Sequence, residues 1–86
     1  MIYTDGIHLV ADSLDELHNF CQEQGIKRAW FEKRKTHPHY DIPKKFNGKL
    51  IQLLLSGAVQ AVPGRKVVEL SKKQLENDSH EIQPGS

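Results

Sequence analysis

The run His37-Pro38-His39-Tyr40-Asp41 holds the densest group of chemically capable side chains in the sequence. Imidazole changes charge near neutral pH and ligates metals through either ring nitrogen. His37 and His39 stand at i and i+2 around a proline, a spacing that can aim both rings the same way in an extended loop. With Asp41 they form the candidate metal set, since imidazole and carboxylate suit Zn, Mn, Fe or Ni. The local spacing matches no strong metal motif, so neither a metal nor another cofactor is assigned. Asp5, His8 and Asp12 upstream and Arg65 downstream extend the polar set. If catalysis occurs, His8, His37 or His39 would be the acid or base. Asp5, Asp12 or Asp41 would orient it, and Arg65 or a lysine would hold negative charge.

Each of these residues also has an ordinary structural explanation. His8 can be a turn or core histidine bonded to backbone. Asp12 is better explained by spacing alone as a helix N-cap or first-turn partner of the helix dipole. His18 falls on an apolar helix face, where a satisfied core histidine is favoured over a ligand. Cys21 shares that face and reads as a small buried hydrophobe. Tyr40 reads equally as a packing aromatic with its hydroxyl at the surface.

The elements that would position these groups follow from patterning. Ile2-Tyr3-Thr4 is a short β-prone segment closed by Asp5-Gly6, a turn dipeptide. Ile7 to Ala11 either extends that strand or leads into a helix. Ser13-Leu14-Asp15-Glu16 has the capping-box pattern, with Leu14, Leu17, His18 and Cys21 on one helical face and Gly25 as the stop. Ile26 to Phe31 is a second strand candidate, and a loop follows from about Lys33 to Asp41. A second helix starts near Pro43, with Phe46, Leu50, Leu53 and Leu54 as its buried face and Gly57 as its end. Val59 to Val62 is a third strand. Beyond Pro63-Gly64 the chain either pairs back as a hairpin strand through Val67-Val68 or forms a last helix around Leu70 to Leu75.

The resulting expectation is a small single α/β domain over residues 1–75, in the order strand-helix-strand-helix-strand, with a polar tail over 76–86. Two crossovers imply a mainly parallel three-stranded sheet. Ligands of such sheets sit beyond the carboxyl ends of the strands. Asp5 and His8 follow the first strand, His37, His39, Tyr40 and Asp41 the second, and Arg65 the third, so one edge would gather them.

Composition narrows the classes. At 37% hydrophobic and 27% charged, the chain of 86 residues is globular in type and holds one core. One cysteine excludes an internal disulfide and a Cys-based zinc site. No segment reads as a signal peptide, and Leu53-Leu54-Leu55 is too short to span a membrane, so a cytoplasmic location without membrane contact is expected. Net charge is only +1, yet Lys27 to Lys49 carries eight cations against Glu32 and Asp41. Lys33-Arg34-Lys35 beside Trp30, Phe31 and Tyr40 could follow a phosphate backbone. So few aromatics are better spent in the core, so nucleic-acid binding is expected to be weak at most. No Gly-rich phosphate loop and no nucleophile elbow is present.

A family resemblance is visible in several runs: Ile2-Tyr3-Thr4-Asp5, His8-Leu9-Val10-Ala11-Asp12, Glu16-Leu17-His18-Asn19-Phe20, His39-Tyr40-Asp41 and Gly57-Ala58-Val59. Together these resemble the domain of unknown function 4031 family, small proteins of bacteria and their phages. The resemblance covers roughly residues 1 to 62. Many relatives have a longer loop between the Asp5 and His8 positions, and Arg65 fits the family pattern loosely. What the resemblance implies is a recurrent polar set and no particular activity.

Three functional expectations result. The first is a pocket at the strand-end edge that binds, and could hydrolyse, a small anionic or nucleotide-like ligand. The second is a phage-type protein that binds a host protein. The third is a nucleic-acid accessory role for residues 27–49. The pocket alone explains the gathered His and Asp residues.

Overall fold

The structure is a computed structural model that describes residues 1–33 and 36–82, without the side chains of 78–82. Among the described residues, three α-helices pack on a mixed sheet of five short strands. The strands are β1 (Ile2–Thr4), β2 (His8–Ala11), β3 (Phe31–Glu32), β4 (His39–Asp41) and β5 (Val59–Ala61). The helices are α1 (Leu14–Glu23), α2 (Asn47–Ser56) and α3 (Gly64–Ile82). Among the described residues, the sheet order is β3-β4-β2-β1-β5, and β1 with β5 is the only parallel pair.

The mainly parallel three-stranded sheet expected from the sequence is therefore corrected to a five-stranded, mostly antiparallel one. The first cause is the turn at Asp5-Gly6. Asp5 Oδ1 accepts hydrogen bonds from the Ile7 and His8 amides at 2.9 and 2.8 Å, and Gly6 takes a φ of +102° that a side chain would resist. Thr4 Oγ1 accepts from the Gly6 amide and donates to the His8 carbonyl. These bonds fold the chain back as a hairpin, so the first expected strand is two strands. The second cause lies downstream. Arg28–Trp30 form a 3-10 turn rather than a strand, and His39–Asp41, expected in a loop, pair with both β2 and β3.

The helices follow their sequence signals closely. The Ser13 hydroxyl accepts from the Glu16 amide at 3.2 Å, half of the capping box. Glu16 does not complete the box, because its carboxylate takes the amino-terminal ammonium of Met1. On one face of the sheet, Leu17 and Cys21 of α1 and Leu50 and Leu53 of α2 pack on Ile2, Leu9, Ala11, Tyr40 and Val59. On the other face, Val67 and Leu70 of α3 pack on Val10, flanked by Tyr3 and Val62.

Beyond Pro63-Gly64 the chain is a helix, not a hairpin strand, and that helix continues through residues 76–82. Gln74, fully buried, fixes it to the sheet. Its Oε1 accepts from the Ala11 amide at 2.6 Å and its Nε2 donates to the Pro38 carbonyl at 2.9 Å. One side chain thereby secures both the end of β2 and the approach to β4.

Candidate functional site

Strand alternation decides which polar residues share a face. In β2, His8 and Val10 face α3 while Leu9 and Ala11 face α1 and α2. In β4, Tyr40 enters the α1–α2 core, which leaves His39 and Asp41 on the α3 side. The antiparallel register sets His8 opposite Asp41. Val67, Val68 and Ser71 of α3 form one wall of a cleft of about 510 Å³, with Asp5, His8, His37, His39 and Asp41 among its other lining residues.

The geometry inside the cleft is specific. His8 Nδ1 lies 2.9 Å from Asp5 Oδ2, and His39 Nδ1 lies 2.8 Å from the His37 carbonyl oxygen. Both Nε2 atoms approach the same oxygen, Asp41 Oδ1, at 3.5 Å from His8 and 3.2 Å from His39. His39 is buried, whereas 46% of the Asp41 side chain is exposed to the open cleft. His8, His39 and Asp41 each offer one ligand atom, and those atoms lie within 4.8 Å of one another.

Asp5 is held electrostatically as well as sterically. Burial alone would raise its carboxyl, but hydrogen bonds from the His8 ring and from the His8 and Ile7 amides outweigh it and hold Asp5 below the usual carboxylate range. It also sits at the start of α3, where a β-carbon on Gly64 would stand 3.6 Å from Asp5 Oδ2. The positive end of the helix dipole favours a carboxylate there.

The family model described as protein of unknown function, DUF4031, matches residues 4–74. The chain belongs to this family. No curated protein and no solved structure matches it. The matched span runs past residue 62 into α3, so the family covers every cleft residue and Gln74.

The remaining candidates are placed as follows. Tyr40 is on the opposite face of the sheet, 1% exposed, with its hydroxyl 2.7 Å from His18 Nδ1. The expectation that its hydroxyl reaches the surface is corrected. Burial raises the Tyr40 hydroxyl above its ordinary range. Asp12, just past the far end of β2, accepts from the Met1 ammonium and from the Tyr3 hydroxyl. Arg65 is exposed on the first turn of α3 and does not line the cleft. His37 contributes its carbonyl oxygen to His39, while its own Nδ1 pairs with Thr36 Oγ1 at 2.8 Å. Among the described residues, the candidate metal set thus exchanges His37 for His8.

Of the basic run, Arg34 and Lys35 lie outside the described residues. Trp30 packs edge to face on Phe46, and the ammonium groups of Lys27 and Lys45 stand 6.0 and 5.9 Å from its ring centroid. This aromatic belongs to the periphery of the core rather than to an open platform for bases. No helix among the described residues is long and apolar enough to cross a membrane.

Sequence reasoning missed the roles of Ser71 and Gln74. The buried Ser71 hydroxyl donates to the Val68 carbonyl within α3, and Ser71 lines the cleft. A polar residue one turn beyond Val67 and Leu70 on the inward face was the available signal.

Proposed function

We propose that the cleft binds a small anionic ligand of nucleotide or sugar-phosphate size, and that His8 and His39 supply acid–base groups for its hydrolysis. The convergence of both Nε2 atoms on one oxygen of Asp41 at an open cleft carries this reading. Pairing of β2 with β4 is a backbone matter and does not require three ionisable side chains at that point. The cleft volume falls within the ~300–1,000 Å³ common for small-molecule sites. A histidine with one nitrogen anchored and the other directed at the cavity is suited to hand a proton to, or take one from, a bound water or leaving oxygen.

Charge sets a condition on the reading. Asp41 and the ionised Asp5 would both repel a phosphate, so an anion is accommodated only when positive charge in the cleft exceeds that of the two carboxylates. The start of α3 beside the cleft adds to that positive side.

The test is a melting-temperature screen of inorganic phosphate, nucleoside monophosphates and sugar phosphates, with and without divalent ions. A ligand at 100 times its Kd stabilises by about 2.7 kcal/mol. The expected result is a rise in the parent that His8→Ala and His39→Ala lack. A rise that survives both substitutions, or a panel without effect, would refute the reading.

A further inference from the structure

We propose that His8, His39 and Asp41 bind one divalent transition-metal ion, with Zn(II) the best match. The inference rests on the ligand-binding part of that reading and names the cation that would make the cleft receptive to an anion; it replaces the acid–base part, since an Nε2 atom that holds the ion cannot also exchange a proton.

The argument starts from hydrogen positions. The His37 carbonyl can only accept, so the 2.8 Å contact places a proton on His39 Nδ1. The Asp5 carboxylate likewise accepts from His8 Nδ1, while its other oxygen takes two backbone amides. In each neutral ring the proton is therefore on Nδ1, and Nε2 presents a lone pair. Both lone pairs face Asp41 Oδ1, which is itself an acceptor. Three electron pairs converge with no hydrogen between them unless a ring takes an additional proton. A metal ion resolves this arrangement without one.

Two of the three ligand-atom separations match those around an ion. Ligand atoms about 2.0–2.1 Å from a tetrahedral zinc stand roughly 3.3 Å from one another. Two of the three separations are 3.5 and 3.2 Å. The outer partners fit as well, because metal-bound histidines donate their other N–H to a carboxylate or a backbone carbonyl, and here there is one of each. Two imidazoles with one carboxylate favour zinc-like ions over Mg²⁺, which requires oxygen ligands. Three protein ligands leave a fourth position, and the exposure of Asp41 turns it toward the cleft. The rings sit on adjacent hydrogen-bonded strands, a rigid support for such a set.

Calorimetric titration of tag-free protein with Zn(II), with no anion present, tests the proposal. One ion per chain is expected, with a Kd of about 10 µM or tighter, and Mg²⁺ should give no heat at that site. His8→Ala and Asp41→Ala are chosen because their side chains are 35% and 46% exposed, so the fold should survive, as circular dichroism would verify. Each should weaken binding by about 100-fold or more, beyond the 10–100-fold typical of a lost outer partner. Absence of zinc binding in the parent, or binding retained in both folded variants, would overturn the proposal. Adding inorganic phosphate or adenosine monophosphate afterwards separates the two readings. Zinc bound without either anion supports the metal site and counts against the ligand proposal. An anion bound by zinc-free protein that takes up no zinc does the reverse.

Discussion

The rings of His8 and His39 meet edge to face, with centroids 4.6 Å apart and planes at 78°. This crossing lets both Nε2 atoms aim at one point although each ring is anchored by a different partner. Asp5 anchors one through the hairpin turn, and the His37 carbonyl anchors the other through the chain entering β4. Asp5→Asn should disturb the arrangement through tautomerism. The asparagine oxygen would keep the two amide bonds, turning its NH₂ toward His8 Nδ1. The His8 proton would then move to Nε2, the nitrogen the site needs bare. Zinc affinity should fall 10–100-fold, with the His8 tautomer change visible in long-range ¹H–¹⁵N spectra. An unchanged tautomer would show that Asp5 does not set the ring.

The cleft and the core should respond differently to truncation. Leu17 and Leu50 are buried between the helices and the sheet, and changing either to Ala should cost about 2–5 kcal/mol in denaturant unfolding. Asp41 is half exposed, and Asp41→Ala should stay within about 0.5 kcal/mol of the parent. His39 is buried beside its carbonyl partner, so His39→Ala should fall between the two. A loss in Asp41→Ala equal to that in Leu50→Ala would make the polar cluster structural.

Gln74 should be the polar residue on α3 whose loss is felt most. Gln74→Ala would leave the Ala11 amide and the Pro38 carbonyl without their partner, at about 1–3 kcal/mol for each buried group. The midpoint of urea unfolding measures this. An unchanged midpoint would mean that these groups find other partners.

Cys21 should be inert in the folded protein. Burial pushes its thiol up to about 12, and the side chain is fully enclosed. The thiolate is the reactive form, so Ellman's reagent at pH 8 should react only at the rate of unfolding. Fast, stoichiometric modification of native protein would contradict the packing of α1.

Much of the helical frame was legible in the sequence because its signals are local. The Ser13 cap, the Leu17 and Cys21 face, and the stop at Gly25 with φ of +75° all act within a few residues. The sheet was less legible because the turn at Asp5-Gly6 is compatible both with the end of a strand and with a hairpin. Its outcome depends on the Asp5 and Thr4 side-chain bonds. The polar residues of His39-Tyr40-Asp41 mask a strand, although Tyr40 and Ile42 alternate inward as a strand requires. That alternation also separates Tyr40 from the cleft. The pairing of His8 with Asp41 is a matter of register, which no local pattern encodes.

The most direct measurement is an anomalous difference map, collected at the zinc absorption edge, from crystals of the zinc-loaded protein. A single peak is predicted about 2.0–2.1 Å from His8 Nε2 and His39 Nε2 and about 2.0–2.2 Å from an Asp41 oxygen. His8 Nδ1 should remain on Asp5 and His39 Nδ1 on the His37 carbonyl. A peak elsewhere on the surface, or no peak with the three side chains ordered, would contradict the assignment of this cleft as a metal centre.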